Sequence, residues 1–373
     1  MEMYSSRACL VAAVAMTLLI LKKRKRRRRF WAFSVGKEST VGVFGNRSPA
    51  SQTAAPMINC STHTTDTEFI FRGLTDNPNL KIPLFLVFLA VYVLAILGNV
   101  GIIATIQLES GLHTPMYFFV SQLAMLDIFY TSIITPNTLL NLTRTVKPVT
   151  IAKCGTQLLL FGGSATTESY LLAAMAYDRF VAIRQPLLYV TIMSSRLCKL
   201  LVCGAYFAGF LNSTIHISFT FALKYWKGNV IDHFYCDIPP LLKLACSNTF
   251  LNRVIIFIFG GLTAAICMST ILYSYINILI AILSIQSGRS KAFSTCASHL
   301  TCVSIFYGSL IIAYLRTPSD YLQINEKIIS VFYAVVIPTI NPLIYSLRNT
   351  EVKVAVRKIV NKYNFFQICK RSY

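Results

Sequence analysis

Long uncharged stretches alternate with short polar segments along most of the chain. Each stretch is long enough to cross a bilayer as a helix, which takes about 20 apolar residues. Seven such stretches follow one another, each with at most one charged residue: Ile82–Gln107, Met116–Leu142, Gly155–Ala176, Leu200–Leu223, Val254–Ser287, Ala292–Leu315 and Ile328–Leu347. A soluble protein would need helices with polar faces. The pattern therefore predicts an all-α membrane protein, a seven-transmembrane helix bundle over residues 82–348.

The composition supports a membrane protein. Hydrophobic residues make up 55% of the chain and charged residues 13%, with a mean hydropathy of +0.58, whereas soluble domains carry about 25% charged residues. Much of the net charge of +21 lies in one run, Lys22–Arg29. No nucleic-acid-binding motif accompanies this run, so we expect no nucleic-acid partner. No nucleophile–base set or phosphate loop is present, so we expect no enzyme activity.

Residues 1–56 differ from the rest of the chain. Cys9–Leu21 is short for a membrane span, and its positive charges follow the apolar stretch, unlike those of a secretory signal. The charges favour the cytosol, but the glycosylation sequon at Asn59 favours the outside. We prefer Met57 as the natural start, with 1–56 as an extension that is disordered or absent from the mature protein. The alternative is a signal anchor ending near Leu21. We expect residues 57–81 to be extracellular.

Several motifs occur in order along the spans: Gly98-Asn99, LHTPMYFF (112–119), MAYDRF (175–180), HFYCD (233–237), KAFSTCASHL (291–300) and PTINPLIYSLRN (338–349). Together, from Thr67 to about Val360, they resemble an odorant receptor of the rhodopsin-like G-protein-coupled family. The resemblance implies an outer pocket for a small volatile odorant and an inner surface for a heterotrimeric G protein of the olfactory Gs type, which signals through cAMP. It also implies a plasma-membrane protein with its N-terminus outside.

The Asp178-Arg179 pair ends the third span. Ionisable groups near a bilayer are costly and usually mark function or a membrane boundary. We therefore interpret the pair as a charged contact on the inner rim, with Asp178 as the local partner of Arg179, where the resemblance places G-protein coupling. Phe180, Arg184 and Leu188 replace the tyrosine, cysteine and histidine usual in the family, which puts coupling efficiency in doubt.

The same rim receives residues of the sixth and seventh spans. Pro342, together with Pro338, interrupts the backbone ladder of the seventh span. With Asn341 and Tyr345 nearby, we expect a segment with two states, whose rotation moves Tyr345 toward Arg179. The alternative is a static kink. Across the rim lie Lys291 and His299. His299 is either a hydrogen-bonding, pH-sensitive contact or an ordinary interior histidine.

Asp127 and Glu168 are the two carboxylates within the spans. Two carboxylates facing one interior repel each other, which favours binding of a cation or a proton. With Asn99 and Asn341 as amide partners, we prefer a sodium or proton site, because the resemblance places Asp127 at the family's sodium position. The alternative is a polar cluster that only holds the helices together.

The outer halves of the third and sixth spans offer apolar surface with a few hydroxyls. The candidate pocket residues are Phe161, Ser164, Thr166, Phe306, Tyr307 and Ser309. No carboxylate stands in these stretches, so the pattern indicates a neutral ligand rather than an amine. Aromatic residues at such spacing also occur as simple packing.

The resemblance implies a disulfide between Cys154 and Cys236. The family usually has a second pair in the same outer loop, and Cys246 matches one member, while Trp226 stands in the place of the other. Cys246 is then a free thiol or pairs elsewhere.

After Asn349 the tail predicts an amphipathic helix within the cytoplasmic residues 349–373. Val352, Val356, Ile359 and Val360 share one face, which we expect to lie on membrane lipid. Two other functional classes remain: a transporter, although no internal repeat is present, and a receptor remnant that does not signal.

Overall fold

The computed structural model describes residues 68–144, 148–225, 230–284, 289–314 and 323–371. The predictions for residues 1–56, for Met57 as the start and for the sequon at Asn59 lie outside the described residues. The same holds for Trp226.

Within the described residues, seven long helices follow one another, and an eighth continues the chain. The first four are α1 Pro78–Leu108, α2 Pro115–Thr143, α3 Ile151–Arg184 and α4 Ser195–Thr220. Helix α5 runs through Phe250–Ile255, the π-helical turn Ile256–Gly260 and Gly261–Ser284. Helix α6 is Arg289–Tyr314, α7 runs through Gln323–Val331, the π-helical turn Phe332–Val336 and Ile337–Arg348, and α8 is Thr350–Arg371. Each predicted span overlaps one of α1 to α7, which confirms the seven-helix expectation.

Helices α1 and α5 expose their apolar side chains. By length and composition alone, five helical stretches of the described residues could cross a membrane: Pro78–Leu108, Pro115–Thr143, Ser195–Thr220, Phe250–Ser284 and Lys327–Tyr345. Leu97 of α1 and Phe257 of α5 are 64% and 76% exposed. Apolar surface of this extent suits contact with lipid rather than water. Helix α3 carries Glu168 and Asp178, both buried, so it is the central polar helix of the bundle.

Local sequence explains where several helices begin. The side chain of Asn77 accepts a hydrogen bond from the amide of Asn79 at 3.0 Å, and Pro78 occupies the first helical position of α1. The hydroxyls of Thr150 and Ser194 accept in the same way at the starts of α3 and α4. Such caps satisfy amides that have no partner within the helix.

Two glycines let α3 and α4 approach closely. A Cβ on Gly209 of α4 would lie 2.6 Å from the carbonyl oxygen of Gly163 on α3, and a Cβ on Gly163 would lie 2.7 Å from the ring of Phe210. Small residues at a helix contact allow the backbones to pack directly, which drives association where no water is excluded.

A small sheet covers the outer end of the bundle. Strand β1, Glu68–Phe71, pairs antiparallel with β2, Pro148–Thr150, and parallel with β3, Val230–Ile231. Phe69 is fully buried, and its ring meets that of Tyr225 edge-on. The sheet was not predicted, because strands this short leave no clear alternation of apolar and polar residues. It joins the segment before α1 to the outer loop between α2 and α3 and to the outer loop between α4 and α5.

Candidate functional site

The inner end of α3 is held by a contact that the sequence did not suggest. The hydroxyl of Tyr189, in the loop after α3, donates to Asp178 Oδ1 at 2.8 Å. Among the described residues, no ion pair within 4 Å joins Asp178 to Arg179. Burial, followed by the charge of Asp178, raises the pKa of Tyr189, so this hydroxyl stays a donor. The sequence offered one hint of this contact, an aromatic residue with a hydroxyl in the short loop after the third span.

Arg179 lines a small cavity at the inner end. Its other lining residues are Ile102, Ile106, Met116, Tyr117, Val120, Met175, His299, Tyr345, Asn349 and Val352. The cavity measures about 30 Å³, room for roughly one or two water molecules. Arg179, Tyr345 and His299 therefore line one space, which is too small for a protein helix.

Other contacts of the inner rim are made with α5. The Nδ1 atom of His299 is 2.7 Å from the hydroxyl of Tyr275 on α5, and the two rings stack. Phe180 packs against Tyr273, also on α5, with ring centroids 5.7 Å apart. Arg184 is exposed. Lys291 lies on α6, and its side chain is outside the described residues.

Helices α1 and α7 meet where Pro342 interrupts α7. Proline has no amide hydrogen, so the carbonyl of Pro338 four residues earlier loses its helical donor. The side chain of Asn99 donates to that carbonyl at 2.9 Å, and also to the carbonyl of Ala95. A Cβ on Gly98 would lie 3.0 Å from Pro342 Cγ, so glycine makes room for the proline ring.

Asp127 lies beside α7 in the interior of the bundle. The Nδ2 atom of Asn341 donates to Asp127 Oδ2 at 3.1 Å. Asp127 is fully buried, and Glu168 is 2% exposed. The structure thus joins Asp127 to Asn341, whereas the Asn99 amide donates to backbone carbonyls instead of to this carboxylate. Among the described residues, no group of three or more His, Cys, Asp or Glu side chains could hold a metal ion.

The predicted pocket residues lie in two groups. Phe161 is the centre of an aromatic group, with its ring 5.9 Å from Tyr130, 5.6 Å from Tyr235 and 5.9 Å from Tyr333. On α6, the rings of Phe306 and Tyr307 meet edge-on.

The predicted pocket hydroxyls are engaged with their own helices. Ser164 donates to the carbonyl of Leu160, Thr166 to that of Gly162, and Ser309 to that of Phe306. Their oxygens can still accept a hydrogen bond, as Thr166 does from Asn212 at 3.5 Å. These three hydroxyls therefore act mainly as hydrogen-bond acceptors toward a ligand.

A disulfide ties the second outer loop to α3. Cys154 pairs with Cys236, as the resemblance implied. Next to it, the amide of Cys236 donates to the side chain of Gln157 on α3 at 3.0 Å. Cys246 is also disulfide-bonded, so the alternative of a free thiol is wrong.

The motif HFYCD supplies a buried carboxylate, Asp237, to which the sequence pattern assigned no role. Tyr333 of α7 donates to Asp237 Oδ2 at 2.5 Å, and Tyr235 donates to the same oxygen at 3.1 Å. His233 Nε2 is 3.0 Å from the hydroxyl of Ser330, also on α7. The sequence showed no carboxylate in the pocket stretches, but folding brings Asp237 to the residues that touch Phe161.

An ion pair links the same loop to the outer end of α7. Lys327 Nζ is 2.8 Å from Asp232 Oδ1, and Arg72 lies 3.7 Å from it. Burial opposes ionisation of Asp232, but the hydrogen bond and charge of Lys327, with the charge of Arg72, lower its pKa overall. The loop is thus attached to α7 by both a buried and a partly exposed contact.

Helix α8 docks on the inner end of the bundle. Tyr117 donates to Glu351 Oε2 at 2.8 Å and accepts from Asn349 at 2.9 Å. Lys358 pairs with Glu109 at 2.7 Å.

The apolar face of α8 is divided between protein and surface. Val352 is 2% exposed, whereas Val356 and Val360 are 38% and 49% exposed. Val352 therefore packs in the protein rather than on lipid, contrary to the prediction, and the later valines remain available to a membrane.

Seven apolar helices with the MAYDRF and NPLIY segments around one inner cavity define the class: a rhodopsin-like, seven-helix membrane receptor. The family model for the olfactory receptor matches residues 88–363. The chain is 50% identical over 299 residues to olfactory receptor 5AP2 of Mus musculus, an alignment that covers 80% of this chain and 94% of the relative. It is 49% identical over 298 residues to olfactory receptor 5B12 of Homo sapiens, covering 79% and 95%.

The chain therefore belongs to the olfactory receptor family. This is a family of G-protein-coupled receptors and not of enzymes, as expected from the sequence. The kinds of partner that follow from the family are odorant ligands and G proteins.

Proposed function

We propose that this receptor binds small, mostly apolar and neutral odorants in the outer half of the bundle and activates a Gs-type G protein, which raises cAMP. The observation that carries the inner half of this proposal is the cavity lined by Arg179, Tyr345 and His299. No carboxylate of the described chain lies within 4 Å of Arg179. Its guanidinium is thus available to the backbone carbonyls or the C-terminal carboxylate of an incoming helix.

We expect the ligand to lie near Phe161, Phe306 and Tyr307 in the outer half of the bundle. Their rings offer apolar surface, and the oxygens of Ser164 and Thr166 are acceptors that suit an alcohol. Asp237 already accepts from Tyr235, Tyr333 and the amide of Ile238. This supports a neutral ligand over an amine.

We place the receptor in the plasma membrane with its N-terminus outside. The disulfide between Cys154 and Cys236 supports this orientation, because disulfides persist in oxidising compartments. Residue 154 lies at the end of α3 opposite Arg179, so the Arg179 end faces the cytosol.

The test is a cAMP assay with a broad odorant panel on cells expressing the receptor, with surface expression measured in parallel. The expected result is a ligand response that Arg179→Ala abolishes while surface expression persists. Arg144→Ala is the matched control, because Arg144 is an exposed arginine at the opposite end of the bundle. A receptor that reaches the surface but couples to no G protein under any stimulus would instead be a remnant.

The buried carboxylates support a second part of the proposal, a sodium or proton site at Asp127 and Glu168 with Asn341. Carboxylate and amide oxygens are suitable ligands for a hard cation. We expect sodium, compared with an equal concentration of a bulky organic cation, to raise the melting temperature of the purified receptor. Asp127→Asn should remove that difference. An equal sodium effect in wild type and Asp127→Asn would place the ion elsewhere.

A further inference from the structure

The second outer loop and α7 share a buried hydrogen-bonded cluster that the proposed pocket and rim do not include. Tyr235 and Tyr333 both donate to Asp237 Oδ2, and their hydroxyls also contact each other. The exposed fractions of Tyr235, Asp237 and Tyr333 are 0%, 5% and 8%. A buried carboxylate is costly unless donors surround it. Two hydroxyls and the amide of Ile238 meet that need. The hydroxyl of Tyr333 is the donor that α7 supplies, so it is present only while α7 stays beside the loop.

The position of Tyr333 connects this cluster to the interior of α7. Tyr333 lies in the π-helical turn Phe332–Val336, and such turns often occur at functional sites. Eight residues further along, about two helical turns, Asn341 donates to Asp127. A displacement of Tyr333 is therefore passed along two turns of α7 to Asn341, and so to the contact with Asp127.

Phe161 connects the cluster to the proposed pocket. Its ring centroid is 5.6 Å from that of Tyr235 and 5.9 Å from that of Tyr333. A ligand that displaces the Phe161 ring must disturb one or both tyrosines, because packed interiors have little free space to absorb the change.

The inner end shows which conformation these contacts stabilise. The cavity beside Arg179 measures about 30 Å³, far less than a helix of another protein needs. The contacts between the loop and α7 therefore belong to a conformation that is closed on the inside.

We propose that Tyr235, Asp237 and Tyr333 form an outer lock, which holds α7 in the closed conformation until a ligand at Phe161 separates Tyr333 from Asp237. Tyr333 is a positioning residue in this scheme, because it acts on the inner rim through α7. The signalling part of the inference rests on the proposed receptor function. The lock itself is a statement about which contacts hold the bundle closed.

The first test measures basal cAMP per receptor at the cell surface. Tyr333→Phe removes the donor and keeps the ring, so we expect basal signalling to rise about fivefold, the shift in equilibrium for one hydrogen bond of about 1 kcal/mol. Asp237→Asn should act in the same direction. The double variant should show less than the product of the two effects, because both changes break one network.

Tyr92→Phe is the matched control, since the hydroxyl of Tyr92 bonds Ser132 between α1 and α2, a contact in which neither the loop nor α7 takes part. Its basal signal should equal that of wild type. In a receptor whose wild type raises cAMP, unchanged basal signalling in Tyr333→Phe at normal surface level would overturn the lock, as would an equal rise in Tyr92→Phe.

A second test does not depend on transport to the surface or on a G protein. Cys302 is a free, buried cysteine on α6, which packs against α7. We expect maleimide to alkylate Cys302 several-fold faster in membranes carrying Tyr333→Phe than in wild type or Tyr92→Phe, as measured by peptide mass spectrometry. Faster alkylation in a receptor that never signals would retain the lock and reject the proposed function. Unchanged alkylation would reject the lock.

Discussion

At the scale of single residues, Asn99 replaces a donor that the backbone lacks. Pro342 removes the amide that would reach the carbonyl of Pro338, and the Asn99 side chain supplies a hydrogen bond to that carbonyl from another helix. Sequence reasoning took Asn99 as a partner of the ion site. The role found depends on a contact between residues 239 positions apart, which no local pattern shows.

We expect Asn99→Ala to lower the free energy of unfolding by about 1–3 kcal/mol, because it leaves a buried carbonyl without a donor. Thermal unfolding of the purified receptor measures the change. Asn137→Ala is the control, since the Asn137 side chain is exposed and bonds a carbonyl of its own helix. Equal effects of the two substitutions would contradict the role given to Asn99.

The ion pair of Asp232 at the outer surface should make the stability of the receptor depend on pH. Its pKa in the folded receptor is lowered from the ordinary 3.8, so its stabilising contribution is present above that value and is lost as the pH falls through the lowered pKa. The difference in melting temperature between wild type and Asp232→Asn should therefore be present at neutral pH and disappear in strong acid. We expect a small effect, because the Asp232 side chain is 40% exposed. A difference that grows as the pH falls would contradict this sign.

At the scale of elements, the crossing of α3 and α4 depends on glycine. The Cβ that a larger residue brings to position 209 would lie 2.6 Å from the carbonyl oxygen of Gly163. The side chain of Thr167 also lies in the way, and the Gly163 carbonyl and the Thr167 amide belong to the backbone of α3, which cannot move aside as a side chain can. The sequence could not assign this role to Gly163 and Gly209, because it shows neither the partner helix nor its rotation.

We expect Gly209→Ala to destabilise the receptor by about 1–3 kcal/mol through overpacking. Gly204→Ala on the same helix is the matched control, because no atom lies within 4 Å of the Cβ built there. Alanine also raises helix propensity at both positions, so the control isolates the steric term. The prediction fails if both variants melt at the same temperature, measured side by side.

At the scale of the whole molecule, the outer end is a connected structure. The disulfide joins α3 to the second outer loop, and that loop contacts α7 through Asp237. Strand β1 pairs with the loop between α2 and α3 and with the second outer loop. The sequence predicted the disulfide through the family resemblance. It did not predict the sheet or the contact of the loop with α7, because these involve short segments whose partners are distant in the chain.

Removal of the disulfide in the double variant Cys154→Ser/Cys236→Ser should therefore destabilise the whole outer end and not the loop alone. We expect the free energy of unfolding to fall by about 2–5 kcal/mol and surface expression to fall strongly. A reducing agent should lower the melting temperature of wild type more than that of the double variant. Equal lowering in both would assign the stabilisation to another bond, such as the one formed by Cys246.

The sequence by itself determined the class of protein and the seven spans. The physical reason is that hydrocarbon requires every backbone group to be paired within its own segment, so long apolar stretches become helices whatever surrounds them. Tertiary structure alone decided the partners: Tyr189 for Asp178, the carbonyl of Pro338 for Asn99 and Tyr333 for Asp237. These pairings depend on how each helix is rotated and how deeply each loop folds inward, and packing across the whole bundle sets both.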